Sequence, residues 1–83
     1  RGMQVVDATG ARVGRVHGLI LDGNSRSASH IVLRQVERLS SVYRLVPVDL
    51  VADVQEDRLW LHISSDHVQG LAIYEMDKGQ LDN

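Results

Sequence analysis

No apolar stretch of this chain runs far before a cluster of turn-forming or polar residues cuts it off. Asp7-Ala8-Thr9-Gly10, Asp22-Gly23-Asn24-Ser25, Glu37-Arg38-Leu39-Ser40-Ser41 and Gln55-Glu56-Asp57 divide the sequence into short aliphatic runs. Asp and Asn side chains bond the backbone just ahead of them and Gly accepts positive φ, so such clusters reverse the chain. The runs between them draw on Val, Leu and Ile, with no Phe, one Trp and two Tyr. β-Branched side chains fit a pleated surface and lose rotamer freedom in a helix, which makes strands the expected element. Brief strands at close spacing predict a barrel or a sandwich, and 83 residues are too few for a full immunoglobulin-type sandwich. One domain is expected over 1–83, with its core in 3–74 and a polar tail that frays over 75–83.

The run 3–6 enters the first turn as one arm of a hairpin. The next, 13–21, carries Gly14 and Gly18 and shifts its apolar register along its length. That is how a bulged, strongly curved strand reads, and it suits a small closing sheet. In 29–36, Ile31 and Leu33 alternate with His30, Val32 and Arg34, predicting a second hairpin across Asp22–Ser25. A further strand, 42–46, is stopped by Pro47, which has no N–H for a ladder. The piece 48–51 reads equally as a helical turn or as an extended corner before 52–54. The stretch 58–63 alternates most cleanly, with Leu59, Leu61 and Ile63 on one face and Arg58, Trp60 and His62 on the other. Beyond it, Ser65 or Asp66 can N-cap a single short helical turn.

Several function classes are disfavoured by composition. A chain without cysteine has no disulfide framework, thiolate metal site or thiol nucleophile, and a cytoplasmic address is expected. No apolar run approaches the roughly 18 residues of a membrane span, and no leader pattern is visible. The start at Arg1, without an initiator Met, suggests a domain trimmed from a longer chain. Nine basic and eleven acidic residues are interspersed to a net charge of −2, which gives no footprint for duplex DNA or an acidic membrane.

Certain motifs are familiar in their order. Val6-Asp7-Ala8-Thr9-Gly10-Ala11-Arg12-Val13-Gly14-Arg15-Val16, leading to Leu19-Ile20-Leu21-Asp22, resembles the opening of PRC-barrel domains. Arg44-Leu45-Val46-Pro47 followed by Val51-Ala52-Asp53-Val54 is similar to a later signature of that family, and 58–63 falls where its last long strand lies. The resemblance implies a six-stranded, partly open barrel of the kind found in the photosynthetic reaction-centre H subunit and in a ribosome-maturation factor. Those uses share docking and no common catalytic residues, and the companion domain of the maturation factor has no counterpart in these 83 residues. The expected fold is therefore all-β: a small, partly open barrel of five or six short antiparallel strands, with a short helical turn near the C-terminus.

Chemistry finds little support in the residues. His17, His30, His62 and His67 lack the spacing of a helical metal pair, and outer-face polar positions are their ordinary reading. No serine lies on a nucleophile elbow, and the glycines do not form a phosphate loop. No catalytic residue, metal or cofactor is expected, and the chain is read as a non-enzymatic adaptor. Trp60, flanked by Arg58 and His62, is the leading binding candidate, because large aromatics on outer sheet faces are enriched at interfaces. Packing beneath the C-terminal tail, against Leu71 or Tyr74, is the alternative for Trp60. Val32 and Val36 form a second candidate stripe, through which a homodimer is expected unless something covers them. The rival reading is an RNA- or ribosome-associated module, for which Arg12, Arg15, Arg34 and Arg44 would have to converge.

Overall fold

The computed structural model describes residues 2–75, so the expected fraying over 75–83 lies, Glu75 apart, outside the described residues. Six strands form one mixed sheet: β1 (Gln4–Val6), β2 (Arg12–Leu21), β3 (Ala28–Glu37), β4 (Ser40–Pro47), β5 (Val51–Gln55) and β6 (Arg58–Leu61). Their order is β4-β3-β2-β1-β6-β5, and the sheet curls without closing. Each turn cluster read from sequence joins two of these strands. Pro47 is the last residue of β4, and the ambiguous 48–51 piece resolves into a single 3-10 turn, Val48–Leu50, leading into β5.

The strands are not all antiparallel. β1 pairs parallel with β6, setting Val5 beside Leu59 and Val6 beside Trp60. This pairing brings the two ends of the fold together, and no local pattern encodes it. β2 is bulged as its glycines imply, with register shifts against β3 at Val16/Gly18 and Ile20/Leu21. At Gly14, φ is +156°, and a Cβ there would overlap the Arg34 carbonyl oxygen and lie 2.9 Å from Leu33 Cδ1. Glycine at this point lets β2 press against β3.

The concave face is filled by Val5, Ile31, Leu33, Val46, Leu59 and Leu61, and Val68 closes it from outside the sheet. Val68 belongs to α1 (Ser65–Val68), a single helical turn. Its N-cap is Ser64, whose hydroxyl accepts from the His67 N–H, not Ser65 or Asp66. Ile63 lies beyond β6 yet packs on the same core, as its alternation implies. After α1, residues 72–74 run along β4: the Leu45 N–H donates to the Ala72 carbonyl at 2.9 Å, and the Tyr74 N–H to the Tyr43 carbonyl at 2.7 Å.

One candidate stripe is not present as a surface. Val36 is 65% exposed, but Val32 is only 3% exposed, so the two do not form a continuous apolar face. Val32 sits mid-strand, flanked in register by Gly18 of β2 and Leu45 of β4. Val36 lies past the last β2 pairing, opposite Ser41 near the hairpin end. Alternation assigned both to the outer face correctly; the neighbouring strands decide which is covered. Among the described residues, no helix is long and apolar enough to cross a membrane.

Candidate functional site

Because its own side chains occupy the concave face, the surfaces to consider are the two sheet edges and the outer faces. Both edges are guarded. The outer edge of β4 is partly taken by residues 72–74, with Arg44 and Ile73 bridged antiparallel. At β5, Asp53 accepts the Val54 N–H on Oδ1 at 2.9 Å and the Gln55 side-chain amide on Oδ2 at 2.9 Å. A carboxylate over an edge N–H blunts strand addition.

Trp60 lies on the outer face, opposite Leu59 and Leu61, and is half-buried. Its ring sits against the β1–β2 turn, where a Cβ on Gly10 would be 3.9 Å from Trp60 Cζ3. Gly10 has φ +94° and donates its N–H to the Asp7 carbonyl, so the turn and the indole are fitted to one another. Val6, in register with Trp60, is buried on the same face. The exposed part of Trp60 joins Gln55, Glu56, Asp57 and Arg58 around an open cleft of about 660 Å³ at the β5–β6 turn. His62 is exposed just past β6, where its N–H donates to the Leu50 carbonyl, and it does not line the cleft. Arg58 is therefore brought to Trp60, with Glu56 and Asp57 forming the rest of the polar rim.

A second concave region lies over β2 and β3. Arg15 and Arg34 are directly opposite in the antiparallel register, and both border a groove of about 300 Å³ with Arg12 and Val36. Arg44 does not join them. It faces inward, donating through Nε to Gln35 Oε1 at 2.8 Å and through Nη1 to the Leu71 carbonyl at 3.0 Å, while the buried Gln35 donates to the Val13 carbonyl. Three of the four arginines thus converge, and the fourth ties the tail to the barrel.

The residue that sequence reasoning only half recognised is Asp7. Its role in the first turn was legible: Oδ1 accepts the Thr9 N–H, the Thr9 hydroxyl and the Ala11 N–H at 2.7–2.9 Å. Oδ2, however, accepts the Ser65 N–H at 2.8 Å and its hydroxyl at 2.6 Å, joining the first turn to α1. Asp7 is 2% exposed. Hydrogen bonds from Ser65 first and Thr9 next stabilise the carboxylate and hold its pKa well below the usual aspartate range, outweighing the opposing effect of burial. A buried carboxylate with all these donors is a clasp, and Ser65 serves it instead of capping the helix.

His17 packs its ring edgewise on Tyr43, centroids 4.8 Å apart, and His30 Nδ1 lies 2.9 Å from the Ser29 hydroxyl. Among the described residues, no three His, Cys, Asp or Glu side chains gather in a way that could hold a metal ion. Asp22 accepts the Asn24 N–H in its turn.

These features define a small β-barrel module, filled within and clasped at one end, with its concave surfaces on the outside. The PRC-barrel domain model matches residues 1–68, and the chain belongs to that family. The match takes in all six strands and α1, while the segment along the β4 edge lies beyond it. A comparison with curated proteins gives no match.

Proposed function

We propose that this chain is a non-enzymatic adaptor that binds another protein through the outer surface of its barrel, centred on Trp60. The observation that carries the reading is a large aromatic set beside the Gly10 turn yet part exposed in an open cleft beside Arg58. Rigid aromatic anchors with a polar rim are the residues on which interface energy concentrates. The outer faces are favoured over edge addition, since a strand joining β5 would first have to displace Asp53 from the Val54 N–H. A second copy is one protein such a surface can take, and light scattering at high micromolar concentration reads that directly.

The test is affinity capture with the wild-type chain, Trp60→Ala and a hairpin-tip control, Leu39→Ser, each checked for folding by circular dichroism. The reading expects a protein retained by wild type and by the control to be lost from folded Trp60→Ala. Equal retention by all three would overturn it. If Trp60→Ala unfolds, Arg58→Ala serves in its place with the same expectation.

A further inference from the structure

We infer that the groove between β2 and β3 is a second binding surface, fitted to an acidic peptide segment that also carries an aliphatic side chain. It is separate from the Trp60 cleft and does not rest on that reading. Arg15 and Arg34 are set directly opposite one another on adjacent strands, an arrangement that disfavours the isolated fold because like charges face each other. Both are exposed. Among the described residues their hydrogen bonds go to neutral oxygens: Arg15 Nη1 donates to the Gly2 carbonyl at 2.9 Å and Arg34 Nε to the Ser41 hydroxyl at 3.2 Å. Each of those contacts uses one guanidinium nitrogen, and both side chains border the groove with others to offer. Arg12 borders the same groove, and Arg15 and Arg34 also border an adjoining hollow with His17.

A cluster of guanidinium groups recognises carboxylates or phosphates through paired hydrogen bonds. Two features favour the carboxylates of a peptide over the phosphates of RNA. Val36, exposed among the arginines, offers an apolar contact that an aliphatic side chain can use and a phosphodiester backbone cannot. Single-stranded RNA also favours open aromatic faces for stacking, and Tyr43, opposite Arg34, is half-buried with the His17 ring edgewise against it. The chain's net charge of −2 further limits purely electrostatic attraction, so local charge must be joined by shape and apolar contact.

The test uses a fluorescein-labelled peptide of alternating Glu and Leu, its Gln-for-Glu and Ser-for-Leu counterparts, and an oligouridylate of equal length, followed by fluorescence anisotropy. The wild-type chain is expected to bind the Glu-Leu peptide in preference to the other three. Arg15→Gln with Arg34→Gln should weaken that binding about tenfold or more, as expected for losing charge-assisted hydrogen bonds. Val36→Ser should weaken it severalfold, and Leu39→Ser, at the exposed β3–β4 hairpin tip, should leave it unchanged. Because the arginines are exposed and their like charges face each other, their neutralisation is expected to keep or raise the thermal midpoint; Arg12→Gln alone provides an independent reading should the double variant unfold. Absence of peptide binding, preference for the oligouridylate, or binding indifferent to the arginines would each overturn the inference.

Discussion

Two glycines of β2 should respond to alanine in opposite directions. At Gly14, a Cβ would overlap the backbone carbonyl of Arg34 and lie 2.9 Å from Leu33 Cδ1. Neither neighbour can yield cheaply, since one is the facing strand and the other a side chain with no exposed surface. Unfavourable φ costs about 1–3 kcal/mol and overpacking about as much again, so Gly14→Ala should destabilise by about 2–6 kcal/mol. For 83 residues the whole stability is about 4–12 kcal/mol, and each kcal/mol moves the melting temperature about 4–8 °C. The variant should therefore melt at least about 8 °C lower or fail to fold. At Gly18, no atom lies within 4 Å of the added carbon. There alanine restricts the unfolded chain without a clash, and a gain of about 0.4–1 kcal/mol is expected. Thermal unfolding by circular dichroism, with urea titration to confirm an unchanged m-value, measures both. Equal destabilisation by the two substitutions, or an unaffected Gly14→Ala, would refute the close approach of β2 and β3.

The Asp7 clasp makes stability depend on acid. Its folded pKa lies below the unfolded value, so its contribution is complete above the aspartate range and declines as pH falls below about 4. Asp7→Asn should melt several degrees lower at neutral pH and show a shallower loss between neutral pH and acid than wild type; an identical acid profile would contradict this. Ser65→Ala should weaken the same clasp and partly reproduce that profile, whereas Asp66→Ala, at an exposed position, should not. Val68→Ala, which removes two methyl groups from a fully buried site, should cost about 1.5–3 kcal/mol by urea denaturation; a negligible change would mean that α1 does not close the core.

What the sequence disclosed and what it hid follow one physical division. The turns at Asp7–Gly10 and Asp22–Ser25, the curved β2 and the stop at Pro47 were legible because side chain and backbone determine them within a few residues. The parallel pairing of β1 with β6 was not, since Val5 and Leu59 meet through the folding of everything between them. Asp7 illustrates both cases: its bonds to Thr9 and Ala11 are local, and its bonds to Ser65 cross almost the whole chain. Trp60 was placed on the outer face by alternation, but its partner Gly10 belongs to another strand pair. Arg44, which the rival RNA reading needed beside the other arginines, turns inward, where it donates to Gln35 and the Leu71 carbonyl.

The account depends most on an interior already occupied by the chain's own side chains. Methyl-resolved NMR under xenon pressure examines this directly, because xenon enters apolar cavities that are large enough and empty. The methyl signals of Leu33, Val46, Leu61 and Val68 are predicted to stay in place as pressure rises. Saturable shifts at those methyls would reveal a chamber able to receive a ligand, and the outward-facing adaptor would have to give way to a ligand-binding barrel.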